Sequence, residues 1–377
     1  MMTKKKNICI TITSLAPGGA EKQSLLLAKA LKPYHNITVV IVNPKPIYKS
    51  HMTVIEKEHL NHIFLDKNPI KKFRIFARFL KKQKIDIIFS FLPNDTIWAS
   101  VCGKIAGVPY ILGGIRNSHI AFVKYAVLRF ANNYLLNYTI ANNYAAYDAA
   151  IKFGFKKNVF VVPNGIEMRP MRKIIPHDQN HLTIISVGRL VKQKAYETAL
   201  KAIETLKNRL KNDFGIRYRI VGNGPERQNI EALIEMHNLR NEVELITDPS
   251  DIYALLEVSD VYLNTSTFEG ISNSILEAMN CSMPIIATDA GDNSRLVIHT
   301  KNGYIAAIHD YQKIADYLYG LIESPLLISS MGSASYDYLV KNYSFEQFQN
   351  LYMNIIDHIE NITIESGKAQ FINNLSR

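Results

Sequence analysis

The fold of this chain is organised around one stretch, Thr267-Phe268-Glu269-Gly270-Ile271-Ser272-Asn273-Ser274-Ile275-Leu276-Glu277-Ala278-Met279. A short apolar run at 261–263 precedes it and predicts a buried strand, and the run at 284–288 predicts another. Strand, polar loop, helix and strand make a βαβ crossover, which binds ligands where the strand's carboxyl end meets the helix N-terminus. The amides of residues 270–273 and the helix dipole favour an anion at that point.

Two carboxylates flank this predicted anion site. Glu269 precedes the helix and Glu277 lies within its first turns. Amide donors recognise a diphosphate, and carboxylates accept hydrogen bonds from sugar hydroxyls. The stretch therefore suits a sugar nucleotide.

Length and composition indicate a globular protein of two domains. The chain has 377 residues, 47% apolar and 20% charged, which exceeds one ordinary core. Its three cysteines, Cys9, Cys102 and Cys281, fit neither a disulfide framework nor a zinc pattern, so we expect a reducing compartment. We predict no signal peptide and no segment that spans a bilayer.

Charge divides unevenly along the chain. Residues 1–170 carry a net charge of +17 and residues 171–377 a net charge of −6, which indicates that the first half faces a polyanionic surface. The segment 71–82 predicts a helix with Phe73, Phe76 and Leu80 on one face beside a basic face. Such a helix lies in a membrane interface, or its apolar stripe packs on the domain core. The charge asymmetry favours the membrane.

Apolar runs alternate with helical stretches in both halves of the chain. Strands are predicted at 7–12, 36–42, 85–91, 109–114, 138–143, 159–166, 182–187, 218–221, 243–246, 261–263 and 284–288. This alternation is typical of doubly wound parallel sheets. A linker at 167–181 separates the predicted domains, 1–170 and 171–345. The segment 346–377 is predicted as a crossover helix and tail, whose amphipathic part packs back on the first domain.

A glycine pair, Gly18-Gly19, stands between the first strand and a predicted helix at 22–31. Two glycines let backbone amides approach a phosphate closely, or they form a tight turn with no ligand. The segment lacks both the G-x-G-x-x-G spacing and the Lys-Ser/Thr ending of a P-loop, which disfavours NAD binding and ATP hydrolysis. Gly222 and Gly224 also fail as an NAD fingerprint, because Arg227 occupies the third glycine position.

Taken in order, these segments resemble glycosyltransferase family 4, whose members are retaining enzymes that use nucleotide sugars. The specific element is Glu269-x7-Glu277, and the supporting segments lie at 18–21, 163–166, 188–194 and 221–225. The resemblance implies the GT-B fold, an α/β architecture of two Rossmann-like, doubly wound parallel-sheet domains facing a cleft.

The resemblance also implies roles for single residues. Arg189 and Lys194 would neutralise the donor diphosphate, which fits two fixed cations beside a leaving phosphate. Glu277 would accept from the ribose hydroxyls, although Ser274-x-x-Glu277 also reads as a helix capping box. Glu269 would contact the donor sugar.

Backbone amides complete the implied donor site. The segment Gly270, Ile271 and Ser272 would offer amides to the sugar and the phosphate. Gly18 and Gly19 would offer amides to the donor phosphate from the other domain.

One loop departs from the family pattern. Members often carry a catalytic His after the fourth strand of the first domain, where this chain reads Gly114-Ile115-Arg116-Asn117-Ser118-His119. Asn117 stands where that His usually lies, so the candidates for its role are His119, Arg116 and Asn117. The alternative for His119 is a bystander in a loop.

The chain contains no Asp-x-Asp sequence, the usual metal-dependent diphosphate clamp. We therefore expect metal-independent transfer with no cofactor, in which cations and a helix dipole hold the diphosphate. The resemblance implies retention of the anomeric configuration.

The leading hypothesis is a hexosyltransferase of bacterial surface polysaccharide assembly, that is, of O-antigen, capsule or lipopolysaccharide. It would move a hexose or N-acetylhexosamine from a UDP-linked donor to a lipid-linked saccharide on the inner face of the cytoplasmic membrane. Alternatives are another GT-B enzyme, such as a nucleotide-sugar 2-epimerase or a phosphorylase, and a non-catalytic binding module. Nucleic acid is not an expected partner, because no recognisable nucleic-acid motif is present.

Overall fold

The structure is a computed structural model that describes residues 5–116, 121–156, 159–171, 180–210, 214–247, 249 and 251–361. The chain forms two compact units. The first consists of Met1–Gly165 and Phe345–Arg377, and the second of Ile166–Ser344.

The first unit is built on a seven-stranded sheet in the order β3-β2-β1-β4-β5-β6-β7. All neighbouring strands run parallel. The strands are β1 Asn7–Ile12, β2 Asn36–Ile41, β3 Asn61–Phe64, β4 Ile87–Ser90, β5 Tyr110–Ile115, β6 Tyr138–Ala141 and β7 Val159–Val161. Their carboxyl ends meet at one edge, which we call the first carboxyl edge.

Helices cross between these strands. They are α1 Gly19–Leu31, α2 Lys49–Lys57, α3 Pro69–Lys82, α4 Pro93–Ala106, α5 Phe122–Phe130 and α6 Tyr144–Lys152. A π-helical turn, Ala131–Leu135, continues α5. Side-chain caps set two of the starts: Asn68 accepts from the amides of Ile70 and Lys71 before α3, and Asn143 accepts from the Ala146 amide before α6.

The last described helix, α14 Phe345–Asn361, belongs to the first unit. Its apolar stripe, including Phe348 and Tyr352, packs in the same core as the strand residues Ile8 and Ile10. Gln349 Nε2 donates to the Ala30 carbonyl oxygen of α1 at 2.6 Å. The prediction that the C-terminal helix returns to the first domain is confirmed.

The second unit has a six-stranded sheet in the order β10-β9-β8-β11-β12-β13, again parallel throughout. The strands are β8 His181–Val187, β9 Gly215–Val221, β10 Val243–Ile246, β11 Val261–Asn264, β12 Ile285–Thr288 and β13 Gly303–Ala306. The helices are α7 Tyr196–Arg209, α8 Arg227–Met236, α9 Ile252–Glu257, α10 Asn273–Asn280, α11 Asn293–Leu296, α12 Tyr311–Glu323 and α13 Leu326–Tyr343, with a 3-10 turn at Lys192–Lys194. We call the edge where these strands end the second carboxyl edge.

The predicted fold class, two doubly wound parallel α/β units, is confirmed. The sequence analysis did not identify β3 and β13, which are outer strands of four residues each. Outer strands are buried less evenly than central ones, so their apolar pattern is weaker. The predicted strand at 159–166 ends at Val161, close to Pro163, which has no amide to donate to a neighbouring strand.

The apolar stripe of α3 lies in the core and not on a surface. Phe76 and Leu80 are 0% and 1% exposed and belong to a cluster that includes Ile88 and Cys102. The interpretation of this stripe as an interfacial face is therefore wrong. The exposed side of α3 carries the basic Lys71, Arg74 and Arg78 together with Ile70 and Ile75.

Candidate active site

The second carboxyl edge brings several of the predicted site residues together. Arg189 and Lys194 follow β8, Glu269 follows β11, and Gly291 follows β12. Parallel strands place these loops side by side, where α/β folds bind their ligands. The site therefore arises from segments that are distant in sequence.

Glu269 is the centre of this arrangement. Its side chain is buried, and its Oε1 atom is ion-paired with Lys194 Nζ and accepts from Ser266 Oγ at 2.7 Å. Within the described part of the chain, Oε2 receives no hydrogen bond. One carboxylate oxygen is thus fixed by the fold, and the other can accept from a ligand hydroxyl.

Lys194 is held from its backbone as well. Thr265 Oγ1 donates to the carbonyl oxygens of Lys194 at 2.9 Å and of Ala195 at 3.2 Å. Ala195 has a φ of +46°, a left-handed conformation that costs free energy for a residue with a Cβ. The contacts with Thr265 hold this turn and so fix where the lysine side chain begins.

The loop before Glu269 is tied to the same turn. Gln193 Nε2 donates to the Phe268 carbonyl oxygen at 2.7 Å. The Thr267 amide donates back to the Gln193 carbonyl oxygen at 2.9 Å. The two motifs, 188–194 and 267–279, therefore form one structural piece.

Gly291 supports Glu269 from behind. Its φ is +61°, and a Cβ there would lie 2.0 Å from the Glu269 carbonyl oxygen. Thr288 Oγ1, on the strand before it, donates to the Ser266 carbonyl oxygen at 2.6 Å. Only glycine allows this close approach, so the loop after β12 sets the position of the Glu269 backbone.

The glycines at the ends of β8 and β9 have a packing role. A Cβ on Gly222 would lie 1.9 Å from the Gly188 carbonyl oxygen, and one on Gly224 would lie 2.3 Å from the Leu190 carbonyl oxygen. Close contact of these two loops requires glycine. Between them Arg189 is exposed, and among the described residues its guanidinium has no hydrogen-bond or ion-pair partner.

Glu277 is not part of a capping box. Helix α10 begins at Asn273 after the N-cap Ser272, so Ser274 is already the second helical residue. A capping box needs the hydroxyl residue at the N-cap and the glutamate three residues later. Glu277 is instead buried in the second turn, where, after burial itself, its charge helps to raise the pKa of Tyr253.

The amides predicted to bind an anion precede that helix. Gly270, Ile271 and Ser272 lie between Glu269 and the first turn of α10, and the last two are buried. Their backbone therefore directly follows Glu269 and leads into the N-terminus of α10.

At the first carboxyl edge, Arg116 is held by the fold. Its Nη1 donates to Asn164 Oδ1 at 3.0 Å, and its guanidinium lies 4.2 Å from the Phe91 ring centroid. Burial lowers the pKa of Arg116, and a hydrogen bond to Tyr352 of α14 opposes that shift. The segment 163–166 thus anchors Arg116 through Asn164.

Asp95, at the start of α4, is a second buried charge at this edge. It accepts from the amides of Phe91 at 2.7 Å and Leu92 at 3.0 Å. The hydroxyls of Thr13 and Thr11 donate to it at 2.8 and 3.3 Å. Burial raises the pKa of Asp95 to about 6, although these hydrogen bonds favour the charged form.

Gly18 and Gly19 stand at the start of α1, as its N-cap and first helical residue. The first helix therefore begins three residues before the predicted Lys22. A Cβ on Gly18 would lie 2.3 Å from Glu21 Oε2. The structure thus places a buried carboxylate against Gly18, close to the amides that were expected to face a phosphate.

Two of the candidates for the catalytic position, Asn117 and His119, lie outside the described residues. Within the described ranges, no group of three or more His, Cys, Asp or Glu side chains is arranged to hold a metal ion. In the same ranges, no helix is long and apolar enough to cross a bilayer.

Known proteins share this fold and part of this sequence. Residues 167–338, which lie in the second unit, match the family of glycosyl transferases group 1. The two units also match GT-B structures. Anabaena Alr3699/HepE, solved in complex with UDP and glucose, gives a TM-score of 0.81 at 19% identity, covering 94% of this chain and 100% of that one.

Curated relatives are glycosyltransferases of bacteria. The chain is 25% identical over 202 residues to poly(ribitol-phosphate) alpha-N-acetylglucosaminyltransferase of Staphylococcus aureus, covering 53% of this chain and 40% of that protein. It is 22% identical over 210 residues to lipopolysaccharide core biosynthesis glycosyltransferase LpsD of Rhizobium meliloti, covering 55% and 59%. The matches thus span about half the length of these relatives.

Sequence reasoning missed three residues that build the site. Ser266 binds the Glu269 carboxylate, Gln193 binds the loop before it, and Gly291 allows its backbone position. The sequence signal that could have indicated Ser266 and Gly291 was the presence of hydroxyl residues and a glycine directly after an apolar strand, at 265–267 and 288–291. Their partners could not be read from local sequence.

Proposed function

We propose that this protein is a retaining, metal-independent glycosyltransferase of family 4 that uses a nucleotide sugar, with UDP as the nucleotide. The match of the second unit to glycosyl transferases group 1 supports the reaction class. The proposed acceptor is a lipid-linked saccharide in bacterial surface polysaccharide assembly. Relatives named for lipopolysaccharide core biosynthesis and for transfer to a diphosphoundecaprenol-linked sugar support that class of acceptor.

The observation that carries the proposal is the state of Glu269. A buried carboxylate with one oxygen fixed by Lys194 and Ser266 is a preorganised acceptor for sugar hydroxyls. Its second oxygen, which has no donor among the described residues, would take a hydroxyl of the transferred sugar. We assign donor-sugar positioning to Glu269 on this basis.

The proposed charge balance follows from the same edge. Arg189 is exposed and unpaired in the described part of the chain, so it can reach a diphosphate without breaking a native contact. Lys194 would share its charge between Glu269 and the diphosphate. As the bond between the anomeric carbon and the phosphate oxygen breaks, negative charge grows on that oxygen, and both cations stabilise it.

We further propose front-face attack, in which the acceptor oxygen bonds to the anomeric carbon on the side that the diphosphate leaves. The departing phosphate oxygen takes the acceptor proton. Glu277, buried one helical turn beyond the start of α10, would accept from the ribose hydroxyls.

A panel of nucleotide sugars tests the proposal directly. Each is added to the purified chain, and thermal stabilisation and nucleotide release are measured, because a ligand that binds the folded state raises the melting temperature. We expect one UDP-sugar to stabilise the wild type and Glu269→Gln to lose most of that effect. Absence of stabilisation by every nucleotide sugar would overturn the proposal.

A time course by NMR with a matched lipid-linked acceptor tests the stereochemistry. We expect the anomeric configuration of the donor to be kept, and an inverted product would refute retention. Sugar product formed without any acceptor would instead favour the epimerase alternative. Inclusion of a metal chelator should leave the rate unchanged.

A further inference from the structure

Two neighbouring helices of the first unit expose apolar side chains at helical spacing. On α4 these are Ile97, Val101 and Ile105, spaced four residues apart, and Ile105 is 64% exposed. On α5 and its π-helical turn they are Phe122, Val123, Val127, Phe130 and Tyr134. Phe122, Val123 and Tyr134 are each about 70% exposed. Such a stripe normally faces a core, so its exposure here indicates a surface that a binding partner covers.

The two stripes belong to one surface. Helix α4 packs against α3, α5 and the π-helical turn, so the helices that carry the two stripes are direct neighbours. The rings of Phe130 and Tyr134 lie 5.1 Å apart. We call the exposed faces of α4, α5 and the turn Ala131–Leu135 the apolar face. A cluster of exposed apolar side chains, unlike single scattered ones, marks a candidate interaction surface.

Positive charge surrounds the apolar face. Residues 69–136 contain 11 Lys or Arg and two acidic residues. One of the two, Asp95, is fully buried, and the other, Asp86, accepts from the Asn7 amide at 2.8 Å. The exposed basic side chains are Lys71, Arg74, Arg78, Lys81, Lys82, Lys84, Lys104, Lys124 and Arg129.

We infer that the apolar face docks onto an anionic lipid bilayer. Aromatic and aliphatic side chains beside Lys and Arg match the boundary between acyl chains and negatively charged headgroups. A second copy of the chain is a poorer partner, because it would bring an equally basic surface against this one. Charge complementarity therefore selects the bilayer.

The position of the apolar face also fits a substrate held in that bilayer. Helix α4 begins at Pro93, directly after β4, and α5 follows the end of β5, where Arg116 lies. Both helices thus start at the first carboxyl edge. Docking through these two helices would bring the first carboxyl edge to the headgroup layer. This follows from the positions of the helices and does not depend on the proposed glycosyl transfer.

Vesicle co-sedimentation of the full chain tests the inference. We expect the wild type to bind vesicles of phosphatidylcholine with one third phosphatidylglycerol, and to bind pure phosphatidylcholine at least about tenfold more weakly. The triple variant Phe122→Ser, Val127→Ser, Phe130→Ser should lose at least about tenfold in partitioning. The matched control, Met236→Ser, Val258→Ser, Leu326→Ser, removes three apolar side chains of the second unit that are at least 57% exposed, and should bind as the wild type does.

A charge variant separates the two contributions. Lys104→Glu with Lys124→Glu should weaken binding to anionic vesicles by about tenfold or more, and salt should reduce the difference. Circular dichroism and the melting temperature establish that each variant is folded. Wild-type binding by the folded triple variant, equal loss by its control, or a dimer that the triple variant converts to a monomer would each overturn the inference.

Discussion

The two carboxyl edges carry the same residue types in opposite states. At the first, the Asp95 carboxylate accepts from four donors, and Arg116 is engaged by Asn164, Phe91 and Tyr352. At the second, considering only the residues that the structure describes, Glu269 keeps one oxygen without a donor and the Arg189 guanidinium has no partner. The charged groups at the first edge are bound by other parts of the fold. At the second edge, a carboxylate oxygen and a guanidinium are available to a ligand under the proposed function.

This difference predicts that the charged residues of the first edge contribute to folding stability and those of the second edge to binding and turnover. Removing a charge that the fold has satisfied leaves its former partners unpaired and lowers stability. Removing a charged side chain whose partner is the ligand costs little folding stability but reduces ligand binding or turnover. Mutations at matched positions of the two edges should therefore separate stability from activity.

The largest effect is expected from Glu269→Gln. The amide keeps the shape but weakens the bond with Lys194 and removes the charge that accepts sugar hydroxyls, so kcat should fall by about a hundredfold or more. Nucleotide release from the donor identified in the panel is the measurement. Glu197→Gln, in an exposed ion pair on the same unit, is the control and should stay within about twofold. A folded Glu269→Gln variant with normal kcat would contradict the assignment.

The next effect is expected from Gly291→Ala, which adds a Cβ 2.0 Å from the Glu269 carbonyl oxygen at a φ of +61°. The Glu269 backbone must shift, and a displacement of about 1 Å can cost about a hundredfold in rate. Gly107→Ala is the matched control, since its φ is +73° and nothing lies within 4 Å of the added Cβ.

The control should lose only about 1 kcal/mol of unfolding free energy, from backbone strain, with its activity intact. Urea denaturation and steady-state kinetics of both variants measure the difference. If Gly291→Ala and Gly107→Ala behaved alike, Gly291 would not be required for the position of the Glu269 backbone.

A smaller and more selective effect distinguishes the two arginines. Arg189→Ala should raise KM for the donor by about tenfold at nearly unchanged melting temperature, because it removes one charge-assisted contact with the diphosphate. Arg116→Ala should lower the free energy of unfolding by about 1–3 kcal/mol, since it removes the hydrogen bonds that the guanidinium makes with the buried Asn164 and Tyr352. The reverse result, a stability loss at Arg189 alone, would invert the comparison.

The smallest effect is a pH dependence at Asp95. Its pKa is raised from 3.8 to about 6 in the folded state, so the stability it contributes is complete below about pH 4 and is lost as pH rises through about 6. The slope is at most about 1.4 kcal/mol per pH unit. Asp95→Asn lacks this slope, so the wild type should lose stability relative to the variant between pH 4 and 6, measured by urea denaturation.

Above pH 7 the difference between the two proteins should be constant. A difference that stays flat between pH 4 and 6, or that changes in the opposite direction, would show that the carboxylate at the first edge is not held at a raised pKa.

Much of the fold was predictable because its signals are local. Apolar runs followed by Gly, Ser, Thr or Asn marked the ends of strands β1, β8, β9 and β11, and the helix at the C-terminus followed from its stripe of apolar residues. The outer strands β3 and β13 were missed because four residues with partial burial give little pattern.

The residues of the candidate site were predictable as types but not as partners. Glu269 was identified from its place between a strand and a helix, and Lys194 and Arg189 from the family resemblance. The ion pair between Glu269 and Lys194 nevertheless joins residues 75 positions apart. Ser266 and Gly291 matter through contacts that exist only when β11 and β12 lie side by side. Their roles come from packing and not from any motif.

The sequence alone determined the alternation of strands and helices, the two parallel sheets and which loops carry charge, because these depend on periodicity and on turn residues within short windows. Tertiary structure decided which charged side chains are engaged in contacts within the folded chain. It placed the phenylalanines of α3 in the core, exposed those of α5, anchored Arg116 and left Arg189 exposed, with no side-chain partner in the described ranges. Burial and hydrogen bonding depend on contacts between distant segments, and such contacts exist only once the chain has folded.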